Sequence, residues 1–66
     1  MKTATELGQW VHQQRKAQGL TQQELAATAG VGIRFVRELE QGKESCHLGK
    51  TLVVIQMLGA EFYLRE

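Results

Sequence analysis

The chain has 66 residues, 42% hydrophobic and 23% charged, which is the balance of one small soluble domain. This composition excludes disorder driven by charge, and no apolar run approaches the roughly 18 residues of a membrane span. The net charge is only +1, so a surface for nucleic acid must concentrate its positive charge on one face. Cys46 is the only cysteine, which excludes an internal disulfide, and the spacing of His and Cys predicts no metal site.

The small size of the chain also bears on its assembly and location. A domain of this length buries only about 60% of its surface on folding, so its core is thin. Because no disulfide or metal reinforces it, we expect a homodimer. The polar segment 1–6 lacks the apolar stretch of a secretory signal, and we therefore expect a cytoplasmic protein.

Two capping boxes predict where the first two helices begin. Thr3 and Glu6 have the spacing of an N-cap residue and its partner, and apolar residues at helical spacing follow up to a stop at Gly19. Thr21 and Glu24 repeat the pattern and open a second helix, which the next glycine closes. This second helix is only about two turns long, so neighbouring helices must hold it.

The third helix is predicted from 33 to 41, with a glycine as its stop. Its two sides differ in polarity when residues are placed about 100° apart. Phe35, Val36 and Leu39 share the apolar side. The polar side carries Arg34, Arg37, Glu38 and Gln41.

The fourth helix is predicted from 48 to 58 and is apolar nearly all round. A helix of this kind is typically buried on both sides. One side carries Val53, Val54 and Met57. A chain this small has no second layer of its own to bury this apolar surface, so we expect a second copy to cover it. The alternative is that this side packs on the protein's own core.

The last residues, 60–66, change the hydrophobic period from about 3.6 residues to about 2, as in a half-buried strand. A lone strand leaves its backbone groups unpaired. We therefore expect it to pair with the same strand of a second copy, with Phe62 and Leu64 in the interface. The predicted fold is all-α, with four short helices in a domain of residues 1–59 and a C-terminal β-strand that pairs across a dimer.

A helix, a short helix, a tight turn and another helix follow one another in the first two-thirds of the chain, which is the layout of a helix-turn-helix. The sequence there resembles the lambda-repressor-like (XRE/Cro) helix-turn-helix family. The matching segments are GLTQQELA at 19–26, AGV at 29–31 and ELEQGK at 38–43. Nearly the whole chain is similar to the small HipB-type antitoxins of that family, through RFVRELEQGK at 34–43, the segment 50–59 and the C-terminal strand.

The helix-turn-helix layout predicts that helix 33–41 enters the major groove with its N-terminal residues. Arg34 and Arg37 can each donate two hydrogen bonds to a guanine, and Ile33 can pack on a thymine methyl group. Gly32 stands where family members usually have Ser or Thr, so this part of the DNA surface lacks one side-chain contact.

The resemblance implies roles for residues outside this helix. Gln22 matches the family glutamine that contacts a phosphate, and Lys43 is placed for a phosphate contact from the following loop. Arg15 and Glu40 match a pair whose salt bridge ties the first helix to the end of the recognition helix. The predicted DNA-binding residues are Gln22, Gly32, Ile33, Arg34, Arg37, Glu38 and Lys43.

Two alternatives concern the polar side of the third helix. In the first, Arg34 and Arg37 either contact DNA or only form a solvated face of the helix. The surrounding helix-turn-helix motif favours DNA contact. Glu38 either accepts a hydrogen bond from cytosine N4 or pairs with Arg34 four residues earlier, and we favour the pairing.

An enzyme is the weakest of the function classes. The sequence has no nucleophile and base constellation, paired carboxylates or phosphate loop, and we expect no substrate pocket and no cofactor. We predict a repressor that reads palindromic double-stranded DNA as a homodimer and lies at the nucleoid when bound. The HipB resemblance implies an antitoxin that also neutralises a HipA-like serine/threonine kinase toxin; the alternative is a stand-alone or phage Cro-type repressor.

Overall fold

The computed structural model describes residues 3–44 and 47–60, and all regular structure in these two ranges is helical. The helices are α1 (Ala4–Ala17), α2 (Gln22–Ala29), α3 (Ile33–Glu40) and α4 (Leu48–Met57). The four predicted helices are confirmed, with ends that differ by only a residue or two. None of the helices in the described part of the chain is long and apolar enough to cross a membrane.

The predicted caps begin α1 and α2. The Thr3 hydroxyl accepts the Glu6 N–H at 3.1 Å. At α2 the Thr21 hydroxyl accepts the Glu24 N–H at 3.0 Å, and the Glu24 carboxylate accepts the Thr21 N–H at 2.9 Å. Gly30 ends α2 at a φ of 72°, a left-handed conformation that a residue with a Cβ adopts only at a cost. The short α2 is therefore fixed at both ends by local chemistry.

A histidine caps α4, which we did not predict. His47 Nδ1 accepts the Lys50 N–H at 3.3 Å, and the Thr51 hydroxyl donates to the His47 carbonyl at 2.9 Å. Histidine is not among the residue types that usually cap helices, so a pattern search for caps misses it.

The core lies where α3 packs against both α1 and α2, and where α4 packs against α2. Half-buried side chains, Trp10 and Phe35 among them, surround it. The buried residues of the cluster are Val11, Leu25, Ala26, Val36, Leu39, Val54 and Leu58.

Gly8 permits the close contact between α1 and α3. A Cβ at this position would lie 2.5 Å from the Leu39 carbonyl oxygen and 2.8 Å from that of Glu40. Both atoms belong to the backbone, so neither can rotate away. The end of α3 is therefore held directly on α1.

α4 is buried on one side rather than on both. Ile55 and Leu58 are buried, whereas Leu48 is 71% exposed and Met57 is 46% exposed. Val54, which we expected in a dimer interface, has no accessible surface and packs in the chain's own core. Val54 therefore follows the alternative prediction, that this side of α4 packs on the protein's own core, because α4 packs against α2 within the same chain.

Residues 61–66 lie outside the described residues. The predicted strand that pairs across a dimer, with Phe62 and Leu64 in the interface, falls mostly in this segment. Ala60, the first residue of the predicted strand, lies in the turn that follows α4, where its N–H donates to the Ile55 carbonyl at 3.2 Å. Gln18 Nε2 donates to the Leu58 carbonyl at 3.0 Å. This bond ties the end of α4 to the end of α1.

Candidate nucleic-acid interface

The start of α3 is open to solvent. Gly32 is its N-cap, is exposed, and offers no side-chain hydrogen bond to the first turn. A Cβ at Gly32 would meet no described residue within 4 Å. None of the described residues therefore obstructs the helix end that a helix-turn-helix places against base edges.

The polar side of α3 lies at the surface, as predicted. The Arg34 side chain is 90% exposed, and Arg37 is exposed one turn further on. Ile33, which we expected to pack on a thymine methyl group, is less exposed than the two arginines. It is half-buried and packs against the hydrophobic core. Only part of its side chain is left to contact a base.

Glu38 lies between two cations on this surface. Arg34 Nε donates to Glu38 Oε1 at 3.1 Å, and Lys43 Nζ donates to Glu38 Oε2 at 3.0 Å. The hydrogen bond from Lys43 lowers the pKa of Glu38, against an opposing effect of burial, and Arg34 lowers the pKa further. The pairing of Glu38 with Arg34, which we favoured over a base contact, is confirmed by this hydrogen bond.

Glu40, two residues later, is at the centre of a buried polar cluster. Arg15 Nε donates to Glu40 Oε2 at 2.6 Å, and Arg15 Nη2 donates to Oε1 at 3.0 Å. The third nitrogen, Nη1, donates to the Leu20 carbonyl at 2.8 Å. The two side chains are only 6% and 5% exposed. The salt bridge implied by the family resemblance is confirmed, and Arg15 has a structural role.

His12 and Gln22 complete the Glu40 cluster. His12 Nδ1 lies 2.9 Å from Glu40 Oε1, and Gln22 Nε2 donates to the same oxygen at 3.3 Å. The same Nδ1 atom lies 3.2 Å from Arg15 Nη2. In the tautomer that carries a proton on Nδ1, His12 donates to the Glu40 carboxylate, which only accepts hydrogen bonds. Burial raises the pKa of Glu40, but the hydrogen bonds from Arg15, His12 and Gln22 outweigh it and leave the pKa below its ordinary value.

Sequence reasoning missed His12. The one available signal was its position three residues before Arg15, which places both side chains on one side of α1. Gln22, predicted at a phosphate, is half-buried and bonded to Glu40. Its backbone N–H lies in the first turn of α2, where helices offer donors to anions.

A hollow of about 480 Å³ lies between the end of α1 and the start of α2. We expected no pocket of the few hundred cubic ångströms that a substrate needs, and this hollow has that volume but is open to solvent. Among the described residues, no histidine and no carboxylate lines it. Its lining residues are Arg15, Lys16, Gly19, Leu20, Thr21 and Gln22. Elsewhere, the described residues bring no three His, Cys, Asp or Glu side chains into a metal-binding cluster.

Comparison with known proteins identifies the family. A family model described as Helix-turn-helix matches residues 11–46, which include α2, α3 and both glutamate clusters. The chain is also 49% identical over 59 residues to an uncharacterized HTH-type transcriptional regulator, y4mF, of Sinorhizobium fredii, and the match covers 89% of this chain and 78% of that protein. The chain belongs to the XRE-type helix-turn-helix family.

Membership of this family confirms the coarse prediction of a DNA-binding transcriptional regulator. The residues that match the family model include both α2 and α3, which follow one another as the two helices of a helix-turn-helix do. The HipB-type subgroup, the toxin partner and the homodimer stay predictions.

Proposed function

We propose that the chain is a non-enzymatic repressor that reads a palindromic operator with α3 in the major groove. The observation that carries this proposal is the open start of α3, where Arg34 is 90% exposed and Arg37 is exposed three residues later. Residues at this spacing share one side of a helix. Two arginines beside an uncapped helix start are suited to donate to guanines in the groove.

Gln22 and Lys43 are proposed to fix the position of α3 on the DNA backbone. They lie at the start of α2 and just after α3, on either side of the recognition helix in the chain. Because the net charge is only +1, affinity must depend on a few placed contacts. Phosphate contacts of this kind set register and orientation rather than sequence preference.

The dimer is proposed to form through one side of α4. Met57 is 46% exposed, and Val53, four residues earlier on the same side, is half-buried. Exposed apolar side chains on one helix side favour an interface. To read a palindrome, the two recognition helices of such a dimer need to lie about 34 Å apart, one turn of DNA.

Replacing the arginines tests the DNA-binding surface. A duplex is first selected from a random-sequence pool by the wild-type chain. Arg34→Ala and Arg37→Ala are each expected to weaken binding to it by about 1–3 kcal/mol, because each removes a bidentate base contact. Affinity is measured by fluorescence anisotropy.

Lys50→Ala is the matched control, since it removes a cation on α4 rather than on the polar side of α3. Its Nζ lies 5.9 Å from the centre of the Phe35 ring of α3, so the circular dichroism spectrum of this variant is compared with that of wild type as well. Lys50→Ala is expected to change the affinity far less than either arginine variant. Undiminished affinity in both arginine variants, with an intact circular dichroism spectrum, contradicts the assignment of α3.

We also propose, from the HipB resemblance, that the dimer is the antitoxin of a type II system and binds a HipA-like kinase toxin. The test is purification of the tagged chain expressed from its native operon, with masses measured by light scattering. A kinase-sized partner on the dimer supports the antitoxin role. A dimer of twice the 7.4 kDa chain mass and no partner favours a stand-alone repressor.

A further inference from the structure

Glu38 engages only one nitrogen of Arg34. The hydrogen bond joins Arg34 Nε to Glu38 Oε1 at 3.1 Å. Within the described part of the chain, the terminal nitrogens Nη1 and Nη2 have no hydrogen-bond partner, and the side chain is 90% exposed. The end of the guanidinium therefore remains open to a ligand while its Nε is held.

A guanine edge needs the part of the guanidinium that Glu38 leaves open. Its O6 and N7 atoms accept two parallel hydrogen bonds, which the terminal nitrogens of an arginine can supply. An exposed arginine otherwise samples several rotamers and loses that freedom on binding. A carboxylate that holds Nε orders the side chain before DNA arrives.

Lys43 in turn holds the carboxylate of Glu38. Its Nζ donates to Oε2 at 3.0 Å, while Oε1 faces Arg34. The Glu38 side chain is 27% exposed, much less than that of Arg34. The pKa of Glu38 is lowered, first by the hydrogen bond from Lys43, so the carboxylate stays ionised at neutral pH. The chain of contacts thus runs from the loop after α3 to the tip of Arg34.

We propose that Glu38 is a positioning residue that sets the base specificity of Arg34 by orienting its guanidinium toward guanine. The inference rests on the proposed function of α3 as a recognition helix. Loss of the carboxylate then has two opposite effects. Affinity for random-sequence DNA rises, because a negative charge beside the phosphates is gone, while the preference for guanine falls.

The test compares Glu38→Gln with Glu44→Gln. Glu44 is an exposed carboxylate just after Lys43, so its replacement removes the same charge without touching Arg34. Each chain selects sequences from one pool of random duplexes, and Arg34→Ala identifies the base pair that Arg34 reads. Glu38→Gln is expected to lower the guanine preference at that pair about fivefold or more. Glu44→Gln is expected to raise affinity for random duplex to a similar extent and leave the preference unchanged.

A glutamine can still accept a hydrogen bond from Arg34, so Glu38→Ala is the second variant. It is expected to lower the guanine preference at least as far as Glu38→Gln. An unchanged preference in Glu38→Ala, with an intact circular dichroism spectrum, overturns the inference. Loss of a cytosine preference at another pair also overturns it, since Glu38 would then read a base itself. A wild-type chain that selects no sequence overturns the proposed function, and the inference with it.

Discussion

Two glutamates two residues apart on α3 have opposite surroundings. The Glu40 side chain is 5% exposed and accepts hydrogen bonds from Arg15, His12 and Gln22. Glu38 is more exposed and accepts from Arg34 on its own helix and from the loop after it. The Glu40 cluster therefore joins three helices, whereas the Glu38 contacts stay within one helix and its following loop.

This difference shows that burial, rather than residue type, decides what a carboxylate contributes. Exposed ion pairs contribute little to stability because water screens them. A buried charge that loses its partner is costly, because it cannot regain the hydration it gave up on folding. We therefore assign Glu40 to the stability of the fold, whereas Glu38 belongs to the proposed DNA-binding surface.

The largest expected effect separates the two glutamates directly. Glu40→Ala is expected to lower the free energy of unfolding by about 3–5 kcal/mol, because it leaves the buried Arg15 without its partner. Glu38→Ala, the matched variant, is expected to leave the midpoint of urea denaturation nearly unchanged. Similar losses of stability in the two variants contradict the distinction.

A smaller loss is expected where α1 meets the end of α3. Gly8→Ala places a Cβ against the Leu39 carbonyl and is expected to cost about 1–3 kcal/mol through overpacking. Gln9→Ala, on the exposed side of α1, is the control and is expected to have little effect. Urea denaturation measures both, and a Gly8→Ala variant as stable as wild type rules out the close contact.

The stability of the fold at low pH tests the role of the Glu40 cluster. Its folded-state pKa lies below the ordinary value of 4.5, so its contribution to stability is complete above that pH and is lost as pH falls through the lowered pKa. His12→Ala removes one of the hydrogen bonds that lower this pKa. The acid transition, followed by circular dichroism, is expected to move to higher pH in that variant. An unchanged acid midpoint contradicts the role of His12.

The smallest expected effect is at the open start of α3. Gly32→Ser adds a side chain that accepts a hydrogen bond from the first turn, and the described residues leave space for its Cβ. The free energy of unfolding is expected to rise by a few tenths of a kcal/mol, seen as a higher Tm. Gly32→Ala lacks the hydroxyl and is expected to give no gain. Equal Tm values for the two variants exclude capping as the cause.

Much of the fold was predictable because its signals are local. Thr21 and Glu24 form their capping box within four residues, and glycines mark the helix ends, so spacing alone locates α2. The pair of Arg15 and Glu40 lies 25 residues apart in sequence, and only the family resemblance predicted it.

The other features depend on tertiary packing, which spacing does not report. Val54 was assigned to an interface because a helix that is apolar all round does not show which side faces its own core. His12 joins the Glu40 cluster only because α1 and α3 pack closely. In the candidate site, helical periodicity predicted that Arg34 is exposed. The hydrogen bond from Lys43 to Glu38 was not predictable in this way, because it depends on the path of the loop after α3.

The division of α3 into a DNA side and a packing side is tested most directly by NMR. The chain is titrated with a duplex that it has selected from a random pool, and backbone and side-chain shifts are followed. The largest changes are expected at Gly32, Arg34 and Arg37, with smaller ones at Lys43 and little change at the Arg15 side chain. Largest changes on α4, with the Arg34 and Arg37 signals unmoved, would contradict the account.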